Sequence, residues 1–381
     1  MTPLFIPAMA VASCLGVGKA ATVSRLFAGA RVPLPVGAIP DPLPDLDGES
    51  RNNRLLAALL AEIEAEARAL VARFGPHRVA VVVGTSTSGI AEGEAAVAHH
   101  RATGQWPAGF SYRQQETGSP AEFVARRLGI TGPAYVVATA CSSSAKTFAA
   151  ARRLIAQGVV DAAVVGGADT LCKLTVAGFT SLESVSRAGC NPFGVNRDGI
   201  TIGEGGALFL LTPEPAEIAL LGVAETSDAH HVSAPDPSGA GALAAMRGAL
   251  DDAGLSAADI AYLNLHGTAT PLNDAMECRA VHSLFGAAMP CSSTKAMTGH
   301  TLGAAGAVEA AFLWLTLSEA WNPGRLVPPH LWDGVADPQL PVVALAKPGT
   351  RLSADRRAGL SSSFAFGGSN CALVLGRGGA P

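Results

Sequence analysis

Three kinds of segment in the first part of this 381-residue chain recur, in the same order, in the second. "VAVVVGTSTSG" (79–89) and "IAYLNLHGTATP" (260–271) are both apolar strands running into a G-T-x-T turn. "ACSSSAKTFAAARRLI" (140–155) and "PCSSTKAMTGHTLGAAGAVEAAFLWL" (290–315) each carry Cys-Ser-Ser at a strand end before an alanine-rich helix. "GEGGALFLLTPE" (203–214) and "FAFGGSNCALVLG" (364–376) are glycine-rich bends entering apolar strands. A period this long excludes a solenoid. It indicates a duplicated α/β half joined near "TPEPAEIAL" (212–220), dividing the chain into 1–214 and 215–381. Alternating strands and helices predict sheets covered by helices on both faces. If the halves stack about a pseudo-twofold axis, the N-termini of the equivalent helices face each other and bring Cys141 near His300.

The first strand is read in "MTPLFIPAMAVASCLGVGKA", because no lysine or arginine precedes its apolar part as a signal peptide requires. Residues 45–74 predict a turn and one long amphipathic helix with Leu55, Leu59, Ile63 and Leu70 on one side. Residues 102–120, rich in Gly, Pro and polar groups, form the main irregular stretch.

Cys141 follows "AYVVATA", which reads as a buried strand, and precedes a stretch with helical spacing. Taken alone, a cysteine there is most often an inert small hydrophobe. At a strand-to-helix turn, however, the unpaired N–H groups and the positive end of the helix dipole favour an anion, so a thiolate is expected to form more easily than in water. A nucleophile needs partners, and "STKAMTGHTLGAAGAVEAA" supplies titratable ones. Packing accounts for its glycines and alanines, whereas Lys295, His300 and Glu309 are rare in such a segment. His266, at the end of the strand "AYLNL", is a structural histidine or a further partner.

Hydrophobic residues make up 49% of the chain and charged ones 15%, but the excess is largely alanine, and no apolar run reaches the length of a membrane span. A formal net charge of −4 without a basic cluster speaks against nucleic acid as a partner. Seven cysteines at irregular spacing, with no CxxC pair, fit reduced thiols in a cytoplasm better than disulfides or structural zinc. A catalytic zinc on Cys and two His is disfavoured by the absence of an HExxH or paired-Cys motif, so no metal is expected. Acyl transfer uses every member of the set: a thiolate attacks a thioester, imidazole N–H groups stabilise an enolate, and backbone amides hold an oxyanion.

The motifs "TACSSS" (139–144), "HGTAT" (266–270), "TKAMTGHTLGAAGAVE" (294–309), "NPFGVNRDG" (191–199) and "FAFGGSN" (364–370) together resemble the β-ketoacyl-acyl carrier protein synthases of the elongating, Cys-His-His type. The resemblance implies the thiolase fold, α/β with five layers in the order αβαβα, and a homodimer or a heterodimer with a chain-length-factor-like subunit. It implies that Cys141 accepts an acyl chain from an acyl carrier protein. Malonyl-carrier protein is then decarboxylated, and its carbanion attacks the acyl-cysteine. His266 and His300 would stabilise the enolate, and Lys295 would pair with Glu309. The amides of Cys141 and Phe366 would form the oxyanion hole. Thr268 and Thr270 would bind the phosphopantetheine arm, with Gly367 and Gly368 counted with them. No cofactor of the chain's own is implied, because phosphopantetheine travels on the carrier protein. Asp228 and His231 would be a structural pair near the pocket.

Two positions depart from the family pattern. Ala365 replaces a glycine, which would remove access to positive φ in a gating loop. Gly194 replaces an acidic residue after "NPF", putting a loop contact in doubt. "YRQQETG" (112–118) is more polar than in fatty-acid elongating relatives, where it would tune the acyl pocket or lie on an exposed loop. With "GTSTSG" and the short chain it points to an aryl or conjugated polyene substrate. The competing readings are a noncatalytic chain-length partner, which lacks the active cysteine, and a thiolase or initiating synthase acting on coenzyme A thioesters. Thiolases carry a second catalytic cysteine and initiating synthases an asparagine where His residues stand here; Cys371 is read as core.

Overall fold

The computed structural model describes residues 3–378. Its strands are β1 (Leu4–Phe5), β2 (Met9–Ser13), β3 (Gly16–Val17), β4 (Val79–Gly84), β5 (Ala134–Val137), β6 (Ala162–Asp169) and β7 (Gly205–Leu211) in the first part, and β8 (Ile218–Ser227), β9 (Ile260–Asn264), β10 (Pro290–Ser292), β11 (Ala344–Leu345), β12 (Ala358–Ala365) and β13 (Ser369–Arg377) in the second. The helices are α1 (Lys19–Ala28), α2 (Arg51–Ala61), α3 (Glu64–Phe74), α4 (Ile90–Thr103), α5 (Ser119–Leu128), α6 (Ser143–Ala156), α7 (Lys173–Ser181), α8 (Ala240–Ala253), α9 (Pro271–Phe285), α10 (Lys295–Thr298) and α11 (Ala305–Leu317).

The strands form a six-stranded sheet, β3-β2-β7-β6-β4-β5, and a seven-stranded sheet, β1-β8-β13-β12-β9-β10-β11. The runs β2-β7-β6-β4-β5 and β8-β13-β12-β9-β10 share one pattern: two antiparallel pairings followed by two parallel ones. Strand alternation sends the two faces of each sheet into different cores. In β4, Val79, Val81 and Val83 pack outward with α2 and α5, while Ala80 and Val82 face inward to α6 and α11. In the second sheet Leu373 and Leu375 of β13 face that same inner core, while Ala372 and Val374 pack outward with α8 and α9. The result is five layers, αβαβα, with α6 and α11 back to back at the centre. Their approach is close enough to need a glycine: a Cβ on Gly306 would lie 2.7 Å from that of Ala145.

Four expectations change. β5 is an edge strand whose first two residues are exposed, because sheet order leaves its outer side unpaired. Residues 45–74 carry two helices, since Ile63 leaves helical geometry at φ −134°, ψ 12°. Leu55, Leu59, Ile63 and Leu70 are buried all the same. The N-terminal stretch holds strands of both sheets, β1 pairing with β8 and β2 with β7. The second copy of the strand-helix unit is interrupted, with one turn of helix at 295–298 and a 3-10 turn at 302–304 before α11. His300 sits in that interruption.

Candidate active site

Cys141 lies at the turn between β5 and α6. Ala140 takes a left-handed φ of 53°, and Ser143 Oγ donates to its carbonyl at 2.6 Å while accepting from the Thr139 amide at 2.8 Å. The turn presents Sγ above the start of α6, with the amides of Cys141 and Phe366 directed at it. Burial dominates the thiol nevertheless. It pushes the pKa up to about 11, against Lys295 and the two amides, so the expected easy thiolate does not form at rest and the thiol is protonated.

His300 Nε2 is 3.1 Å from Cys141 Sγ. The Leu302 amide donates to His300 Nδ1 at 3.2 Å, which leaves the ring proton on Nε2. Lys295 Nζ lies 3.3 Å from His266 Nδ1 and donates to the His266 carbonyl and to Glu309 Oε1. Lysine only donates here, so His266 too carries its proton on Nε2. The two rings stand nearly perpendicular with centroids 5.4 Å apart. Burial first, then the Lys295 charge, holds both imidazoles well below the ordinary histidine value. Both rings are therefore neutral N–H donors facing one spot. Burial raises the Glu309 carboxyl to about 7, opposed by Lys295.

Two acids missed in the sequence hold this arrangement from α9. Glu277 accepts from the His266 and Gly267 amides, each at 2.7 Å. Asp274 accepts from the amides of Phe193 at 2.8 Å and Ala269 at 3.2 Å. Burial raises them to about 7 and about 6. Their i, i+3 spacing on a helix reads as a solvated face, yet "PLNDAMEC" places them among small and apolar residues, the signal that singled out Lys295. Glu309 Oε2, Asn264 Oδ1 and Ser361 Oγ are buried without a hydrogen-bond partner.

Cys141, His266 and His300 line a cleft of about 200 Å³, open to solvent. Phe179, Thr268, Thr270, Leu272, Phe364 and Phe366 line it too. Thr268 and Thr270 bond each other through their hydroxyls at 2.9 Å. The Phe366 ring leans on Phe179 at 5.9 Å. Gly367 and Gly368 are outside the lining: the Gly367 amide donates to Val232 at 2.8 Å, and the Gly368 carbonyl accepts from Asp228. Asp228 binds the Asn370 amide group at 2.7 Å, while His231 Nδ1 accepts from Ser233 and Ala234; among the described residues no hydrogen bond joins the two as a pair. Ala365 adopts φ −122°, an extended geometry open to any residue, so it costs the loop nothing. Positive φ falls instead on Gly367 and Gly368. With Gly194 lacking a carboxylate, Asp333 accepts from Asn191 and Asn196, and Asp337 from Arg197 at 2.6 Å. The 112–118 side chains stay outside the cleft; Arg113 pairs with Glu122, and Gln114 donates to the Gly48 carbonyl at 2.7 Å.

The donor atoms of Cys141, His266 and His300 lie within 4.8 Å of one another, a set that zinc accepts in kind. The Lys295 ammonium touching His266 opposes a dication there. All seven cysteines are buried and free, Cys371 in the core of β13. Among the described residues no helix is long and apolar enough to cross a membrane.

Comparison with known proteins follows the same lines. A ketosynthase from Xenorhabdus doucetiae, solved in complex with its chain length factor, is 44% identical over 99% of this chain and 98% of that one, with a TM-score of 0.91. A β-ketoacyl synthase from Burkholderia phymatum STM815 is 27% identical over 99% and 100%, with a TM-score of 0.84. The 3-oxoacyl-[acyl-carrier-protein] synthase 2 of Staphylococcus aureus (strain COL) is 35% identical over 265 residues, 65% of this chain and 62% of that protein's length. The family models for the β-ketoacyl synthase N-terminal and C-terminal domains match residues 50–216 and 217–327, so the chain belongs to the β-ketoacyl synthase family.

Proposed function

We propose that this chain is an elongating 3-oxoacyl-carrier-protein synthase, an acyltransferase. The carrying observation is that two neutral imidazoles offer Nε2–H groups beside one buried thiol, His300 at 3.1 Å from it. In the first half-reaction Cys141 Sγ attacks the acyl thioester. Its tetrahedral oxyanion meets the amides of Cys141 and Phe366, and the thiol proton leaves with the departing pantetheine thiol. In the second, malonyl thioester loses carbon dioxide, and the enolate oxygen takes hydrogen bonds from His266 and His300. The enolate carbon then attacks the acyl-cysteine carbonyl, giving a 3-oxoacyl thioester and returning the thiol after one proton is taken up. Neutral donors suit an enolate that must form and then react, because the carbanion is not quenched by an imidazolium. Lys295 holds His266 in its tautomer, and Glu309 balances the ammonium. Thr268 and Thr270 receive the phosphopantetheine arm, so the chain needs no cofactor of its own.

The acyl donor and extender are carried on an acyl carrier protein, and the reaction belongs in the cytoplasm. The partner is a second copy or a chain-length-factor-like subunit, supported by the exposed edge of β5 and by the partner named for the Xenorhabdus relative. As acyl group we retain an aryl or conjugated polyene chain, on the "GTSTSG" turn alone; the 112–118 segment lends it no support from outside the cleft. The test is mass spectrometry of the chain mixed with acyl-carrier proteins. An acyl adduct on Cys141 that Cys141→Ala abolishes is the expected result, and an adduct persisting on the variant overturns the reading.

A further inference from the structure

We propose that Asp169 is a positioning residue for His300, acting from one half of the molecule on the other; this rests on the condensation reading above. Asp169 ends β6 and is buried. Its Oδ1 accepts from Thr85 Oγ1 at 2.7 Å, the Ser86 amide at 2.8 Å, and the Thr87 amide and hydroxyl at 2.7 Å each. Those donors all belong to the "GTSTS" turn after β4, in the same half. The second oxygen, Oδ2, crosses to the other half and accepts from the Ala304 amide at 3.1 Å.

Ala304 closes the 3-10 turn whose first residue, Leu302, sits at φ 51° and donates its amide to His300 Nδ1. A left-handed leucine is strained and persists only where its surroundings hold it. The approach is close as well. A Cβ on Gly303 would lie 2.8 Å from Asp169 Oδ2 and 2.6 Å from Ser86 Oγ, so only glycine fits between the turn and the acid. Asp169 thus keeps the turn seated, the turn presents the Leu302 amide, and that amide fixes the His300 proton on Nε2. The Cys141 thiol meets that Nε2 at 3.1 Å, beside the two amides and Lys295.

Asp169→Asn separates these roles. Four donors on Oδ1 require the amide oxygen there, which turns the new NH2 group against the Ala304 N–H. The whole chain is prepared with ring-15N histidine, His300 being assigned by a His300→Gln control. Wild type should show one protonated and one bare ring nitrogen. Asp169→Asn should move both toward averaged values. Its kcat for carbon dioxide release from malonyl-carrier protein should fall about tenfold or more, with KM within about twofold. Gly303→Ala, which keeps the carboxylate but wedges the turn away, should change the spectrum and kcat in the same direction and decides the matter if Asp169→Asn does not fold. Wild-type His300 resonances and kcat in either folded variant would overturn the proposal. A wild type that releases no carbon dioxide would overturn the condensation reading instead, and the His300 resonances would still judge Asp169.

Discussion

Lys295 touches three groups at once, and that fixes what its loss should do. The ammonium donates to Glu309, to the His266 carbonyl and toward His266 Nδ1 in a fully buried setting. Removing one partner of a buried pair strands the other charge, at a cost of about 3 to 5 kcal/mol. Lys295→Met and Glu309→Gln should each depress condensation and stability, and the double variant should lose clearly less than the sum. Chemical denaturation and condensation rates of the three variants check this; additive losses would mean the pair does not interact. His300→Ala should still accept an acyl chain on Cys141 while carbon dioxide release from malonyl-carrier protein drops by about 3 kcal/mol of barrier, roughly a hundredfold. Unchanged release would remove His300 from the enolate site. Cys141 and His266 stay open between structural and reactive residues when read locally and took their roles from the family resemblance, whereas Lys295, His300 and Glu309 were legible because reactive groups stand out among glycine and alanine. The protonation of Cys141 was not, since the contest between a helix start and burial is decided by depth, which a local stretch of sequence does not encode.

At the scale of elements, α9 works as a scaffold for the loop after β9. Its Glu277 holds the His266 and Gly267 amides while burial lifts its pKa from 4.5 to about 7. An acid raised in this way contributes stability below its unfolded value of 4.5 and loses it as pH climbs through about 7. Glu277→Gln has no proton to lose. Relative to wild type it should gain up to about 3 kcal/mol between about pH 5 and about pH 8. Urea unfolding of both proteins at the two pH values tests the sign; a constant difference would mean Glu277 does not ionise in that window. The paired motifs made the order of strands and helices readable, whereas the exposure of β5 and the break at Ile63 depend on which neighbour a strand lacks and how a helix must bend over its sheet.

For the whole molecule, the proposed partner would sit on the unpaired edge of β5, where Tyr135 is 38% exposed. Tyr135→Lys should weaken association, read by sedimentation as a shift toward the single chain; an unchanged assembly would place the partner elsewhere. The central pairing of α6 and α11 carries a further consequence. The nucleophile and the two imidazoles arrive on opposite sides of the segment 212–217 that joins the sheets, and Ser144 Oγ accepts the Ala307 amide across the seam at 2.8 Å. Chemistry here is a logical conjunction. A chain cut in that segment would yield two silent fragments, and any turnover they regained on mixing would count, molecule by molecule, how many had found each other.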